Sequence, residues 1–211
     1  MLSALDALTR SAYFDTYLGH LQSDDLQAEL KRSGEELNAL ISPMTEEQLE
    51  HWYAPGKWSV RQVVQHLIDT EMILNYRALR IGREETSQHL AGFDENAYAA
   101  TADERKLSGS DLMAFFNAVR ASTILLYQTF SDAQLERVGI ASGNRIQVSA
   151  LFYINAGHTL HHTGVIVHCG VEIHRCICIG GKASSRRNVD GCDVGCIELY
   201  LGSICRRRRF T

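Results

Sequence analysis

No cysteine occurs in the first 168 residues; all six lie between Cys169 and Cys205. A cysteine nucleophile or thiolate metal cluster is thereby excluded from the main body of the chain. Nor is there a run of about 18 uncharged apolar residues, so no membrane-spanning helix and no membrane partner are expected. The opening stretch MLSALDALTRSAYFD carries Asp6 where a secretory signal would carry a positive flank, which points to a cytoplasmic chain without an export signal. Motifs G-x-S-x-G, G-x-x-x-x-G-K-[ST] and G-x-G-x-x-G are missing, which removes the nucleophile elbow and the phosphate-cradling loops. The zincin signature H-E-x-x-H is missing too, since Thr159 stands where its glutamate would be. There is no internal repeat, no low-complexity linker, and no strand-like alternation before residue 168.

Charge is unevenly distributed. The 211 residues include 21 Lys/Arg and 25 Asp/Glu, of which eight and four lie after His168, leaving 13 and 21 before it. An acidic body repels phosphate backbones, so nucleic acid is not an expected partner for residues 1–168. The length suits one substantial core.

What is present before residue 168 reads as helix. The segment SDDLQAELKRSGEELNALI (23–41) opens on Ser23 as a candidate N-cap, with acids in its first turn and Leu26, Leu30, Leu37 and Ile41 mostly at helical spacing. Thr45 and Gln48 match a capping box over a short turn. Ser59 and Gln62 form another, with Trp58 as an apolar staple, so a long helix runs from there to about Gly82 with His66, Leu67, Thr70 and Leu74 on its inner stripe. Residues 84–107 read as a long connection with little regular structure. A third long helix spans about 110–130, starting at Ser108 or Ser110, and SDAQLERVG closes it with a capped turn. ASGNRIQ reads as a loop, and a fourth helix runs from about Val148 through GHTLHHTGVIVH. Four long helices joined by loops predict an all-α four-helix bundle over residues 1–168.

His158 and His162 stand at i and i+4, so both imidazoles can aim at one point. His161, at i+3, is an alternative to His162 displaced around the helix. A catalytic divalent ion typically takes three protein ligands and keeps one position open. His66 is the candidate third ligand, as the histidine on the inner stripe of another long helix. The competing reading is three hydrogen-bonded core histidines, but Leu67, Ile68, Val165 and Ile166 offer no side-chain partners for them. Asp69 or Glu71 is a candidate acceptor orienting an imidazole, Asn155 a candidate pocket residue. Tyr76 and Arg80 are candidates of the same standing, and Trp52 and Trp58 are expected to pack helix entries.

Taken together, KWSVRQVVQHLIDTEMILNYRALRI, GFDEN, DLMAFFNAVRASTILL and GHTLHHTGVI resemble the DinB superfamily over about residues 23–167. That resemblance implies a four-helix bundle with a metal, zinc or nickel, held by His66, His158 and His162. It implies a metal-dependent thiol S-transferase or hydrolase acting on a small electrophilic substrate, with a low-molecular-weight thiol as a partner, and a homodimer. Bottom-up chemistry agrees, since a divalent ion held by neutral imidazoles lowers the pKa of bound water or thiol. The alternative is a non-catalytic metal-binding or stress-response bundle with a structural metal.

After His168 the chain changes character. Residues 169–211 combine Gly180-Gly181, the six cysteines and Arg206–Arg209. Cys176-x-Cys178 and Cys192-x3-Cys196 lack paired C-x2-C spacing, and a four-arginine run is a short cluster. Of a cysteine module, a basic appendage and a divergent or frameshifted, loosely ordered extension, the last fits best.

Overall fold

The computed structural model describes residues 14–52, 56–83, 89–102 and 106–168. The cysteine-rich and arginine-rich segment 169–211, and every expectation placed on it, lies outside the described residues.

Capping decides where the helices start. Helix α1 spans Asp15–Leu18, α2 Leu26–Ile41, and α3 Glu46–Leu49. Asp25, not Ser23, caps α2: its carboxylate accepts from the Ala28 amide at 3.0 Å, while the Ser23 hydroxyl accepts from the Asp25 amide two residues downstream. Thr45 and Gln48 form the expected reciprocal box on α3. Helix α4, Val60–Arg83, begins at the Ser59–Gln62 box, in which each side chain takes the other residue's backbone N–H. Helix α5, Glu95–Ala102, lies inside the stretch expected to be irregular. Its one buried residue is Ala99, so it carries no apolar stripe for a periodicity argument to find. Helix α6, Gly109–Gln128, is capped by Ser108, α7 spans Asp132–Leu135, and α8 spans Val148–His168.

A three-stranded sheet joins these helices where loop was expected. Strands β2 (Val138–Ala141) and β3 (Asn144–Gln147) pair antiparallel across Ser142-Gly143, and β1 (His89–Leu90) adds parallel to β2. Ser142 at φ 49° and Gly143 at φ 77° put both turn residues in the left-handed region that a tight two-residue hairpin requires. Arg77 of α4 donates to Ala91 O and to Ser142 Oγ, both at 2.9 Å, and so ties the sheet to the bundle.

The bundle is α2, α8, α4 and α6, each packed on the next around a ring. Cross-helix pairs fix the directions. Asn38–Asn117 and Gln27–Gln128 make α2 and α6 antiparallel, and Glu71–Arg120 with Asn75–Thr123 makes α4 and α6 parallel. His66–His158 with Asn75–Asn155 makes α4 and α8 antiparallel. The chain therefore runs up, down, down, up, and the α4-to-α6 connection carrying β1 and α5 returns along the full length of the bundle.

Helix α8 is the most enclosed element. Every residue from Val148 to Leu160 is buried, as a helix apolar on all sides must be. Two apolar clusters fill the bundle. One gathers Leu30, Leu74, Ala78, Leu151 and Phe152, the other Leu37, Leu67, Leu112, Phe116 and Ile166. Along α4, α6 and α8 the buried polar residues Glu71, Arg120, Thr123 and Thr159 sit between residues of the two clusters. Among the described residues no helix is long and apolar enough to cross a membrane.

Candidate metal centre

Helix α4 brings His66 to the α8 face that carries His158 and His162. One nitrogen from each ring lies within 4.8 Å of the other two. His66 Nε2 stands 3.1 Å from His158 Nε2. The ring centroids of His158 and His162 are 4.6 Å apart, those of His66 and His162 5.1 Å, as the i, i+4 spacing on one helix and the inward stripe of the other lead one to expect. His158 is 5% exposed, whereas His66 and His162 are only partly buried, so the group meets solvent on one side.

Burial sets the protonation of all three. Loss of hydration pushes His66 down to about 4. The same cause, with the like charges of His66 and His161 behind it, pushes His162 down to about 3. His158 is held well below the ordinary range by complete burial first, then by the neighbouring imidazoles and the Arg120 guanidinium. At neutral pH the three rings are neutral, the form a metal ion needs.

These residues fit a divalent ion. Two imidazole nitrogens about 2.0–2.1 Å from a tetrahedral ion stand roughly 3.4 Å apart, close to the His66–His158 spacing. The Thr70 hydroxyl lies 3.4 Å from His66 Nδ1, where it can accept from Nδ1–H in the tautomer that leaves Nε2 with its lone pair. His162 Nδ1 is buried with no hydrogen-bond partner among the described residues.

The other sequence candidates fall elsewhere. Glu71 does not orient an imidazole: its carboxylate is bound by Arg120 and Thr123. Asp69 accepts from Gln65 Nε2 at 2.8 Å, and burial raises its carboxyl. Asn155 is buried one turn before His158 and donates to Asn75. Tyr76 and Arg80 bond to each other on the outer surface of α4. His161 turns away, its ring lying against Tyr17 at 5.3 Å and His20 at 5.5 Å. Trp52 is 61% exposed and packs no helix entry, while the Trp58 ring lies 4.8 Å from that of His66. Tyr17 covers His158 edge-on at 5.0 Å. Gly157 makes that approach possible, since a Cβ there would stand 2.3 Å from the Tyr17 carbonyl oxygen.

Fold and site together define a four-helix-bundle protein with a three-histidine centre. The chain belongs to the DinB superfamily, whose family model matches residues 29–166. A Bacillus licheniformis protein named as a candidate metal-dependent hydrolase is 27% identical over 167 residues, covering 76% of this chain and 92% of its own. A Geobacillus thermodenitrificans protein named in the same way is 28% identical over 143 residues, 66% of this chain and 79% of its own. Among solved structures, Bacillus subtilis YfiT, described as a metal-dependent hydrolase candidate with an unusual four-helix bundle topology, superposes with a TM-score of 0.63 at 26% identity. That match covers 69% of this chain and 84% of YfiT. The mycothiol-dependent maleylpyruvate isomerase shares the fold at 11% identity, with a TM-score of 0.57 over 70% of this chain and 61% of its own.

Proposed function

We propose that this chain is a divalent-metal enzyme in which His66, His158 and His162 hold zinc or nickel and a small electrophilic substrate is attacked by water or by a low-molecular-weight thiol. The observation that carries the reading is the convergence of three neutral imidazoles, one of them fully enclosed and two reaching solvent. A bound divalent ion supplies a nucleophile at neutral pH by lowering the pKa of the water or thiol on it.

The chain's own residues do the rest. Burial keeps the imidazoles unprotonated, and Thr70 holds the His66 ring. Tyr17 closes the site along one side of α8, and Trp58 walls the His66 side with an apolar ring. The partly exposed His66 and His162 edge is where a small electrophile reaches the centre. Hydrolysis agrees with the names given to the relatives, and thiol transfer uses the same centre with a different nucleophile.

Turnover of a panel of small electrophiles by the zinc-loaded and nickel-loaded protein, with and without glutathione, mycothiol or bacillithiol, tests the proposal. Turnover that His158→Ala abolishes supports it. Turnover equal in the wild type and His158→Ala overturns it, and a stoichiometrically loaded protein with no turnover favours the structural-metal alternative.

A further inference from the structure

We propose that the buried pair Arg120 and Glu71 is a positioning device, which fixes α4 and α8 in the one register at which His66 meets His158. This rests on the metal reading above.

The Arg120 guanidinium is saturated. Its Nε and Nη2 donate to the two Glu71 oxygens, both at 2.8 Å, and Nη2 donates further to Thr159 Oγ1 at 2.9 Å. Nη1 donates to Leu30 O at 2.6 Å and to Ser33 Oγ at 2.5 Å. All five N–H groups are thus used, and both side chains are almost completely buried. No donor remains for a substrate, so Arg120 is not a catalytic residue.

The fork joins four helices at the level of the centre. Glu71 lies five residues after His66 on α4, and Thr159 directly follows His158 on α8. A second strand of the network runs alongside: the Thr123 hydroxyl donates to Glu71 Oε1 at 2.5 Å and accepts from Asn75 Nδ2 at 2.7 Å, and Asn155 Nδ2 donates to Asn75 Oδ1 at 3.3 Å. Every member is the neighbour, within one or two turns or so, of a histidine of the centre or of another member.

Stability alone does not account for such a pair. A buried ion pair is weak evidence for stability, because apolar residues of similar volume often replace it without loss, whereas fixing register is its best-attested use. The apolar clusters on either side are non-directional contacts. Sliding α8 by one residue would move it about 1.5 Å and turn it by roughly 100°, taking Thr159 off a planar fork that tolerates neither.

The test is cobalt binding followed by its visible absorption, beside far-UV circular dichroism and thermal melting, in the full chain. The double variant Glu71→Leu/Arg120→Met removes both charges together; the milder Thr159→Val removes only the Arg120 link to α8 and decides the matter if the double variant does not fold. The expected result is helical protein whose cobalt affinity falls by about 10–100-fold, with an altered absorption band. Leu112→Ala, in the apolar cluster, loses thermal stability but keeps the wild-type band. Variants that bind cobalt with wild-type affinity and spectrum overturn the positioning role and leave the metal reading standing. Wild-type protein that binds no cobalt overturns the metal reading itself.

Discussion

His66 Nε2 and His158 Nε2 face each other at 3.1 Å across the interface of α4 and α8, one ring partly exposed and the other enclosed. No carboxylate among the described residues is hydrogen-bonded to either ring; at this spacing one neutral ring can donate its N–H to the other, or both can bind a cation. The consequences of the second choice can be measured.

Metal binding should stabilise the fold and depend on each ring. At a free metal concentration 100 times the dissociation constant, mass action adds about 2.7 kcal/mol to the unfolding free energy. Calorimetric melts with and without zinc or nickel should show that gain, and a chelator should reverse it. His66→Ala, His158→Ala and His162→Ala should each lower the affinity by more than the roughly 10–100-fold typical of residues that only support a ligand.

Acid should destabilise the metal-free protein through the same rings. His66 titrates at about 4 and His162 at about 3 in the folded protein, against 6.5 in the unfolded chain. Between those values the unfolded chain binds more protons, so stability falls as pH drops from about 6.5 towards 4 and below. Denaturant unfolding of the wild type should show this slope, and the variant His66→Gln/His162→Gln should show a flatter one. Equal slopes would remove the assignment of neutral, buried rings.

Trp58 offers an optical report. The chain has two tryptophans, and Trp52→Phe leaves only the one whose ring lies 4.8 Å from that of His66. Its fluorescence should be quenched as paramagnetic cobalt or nickel is added, saturating at a single equivalent, and His158→Ala should abolish the saturable quenching. Quenching that grows linearly without saturation would indicate collision rather than a site.

Gly157→Ala should loosen α1 from α8. Its new methyl group would meet the Tyr17 carbonyl at 2.3 Å, a backbone atom that cannot rotate aside. Overpacking of this kind costs about 1–3 kcal/mol, seen as a lower melting temperature. Because Tyr17 covers His158, the same substitution should also speed metal release to a chelator.

Much of this was legible in the sequence. The capping boxes at Thr45 and Ser59 and the inner stripe of α4 marked helix starts and faces, because those signals act within a few residues of one another. The histidines were legible for the same reason: His158 and His162 share a face by spacing, and His66 stands on an apolar stripe. The hairpin was not, since four-residue strands give periodicity too little length and Ser142, the first of its two left-handed turn residues, is not a glycine. Nor was the role of Arg120. An arginine on an amphipathic helix reads as solvated surface, and only the arrival of Glu71, Ser33 and Thr159 from three other helices makes it buried.

Crystals grown with zinc or nickel, with anomalous diffraction recorded at the metal edge, test the central claim most directly. The account predicts one strong peak per chain between His66, His158 and His162, with a further position on the ion open towards the His66 and His162 edge. A metal-saturated crystal with no peak there, or with its peak on other residues, would contradict it.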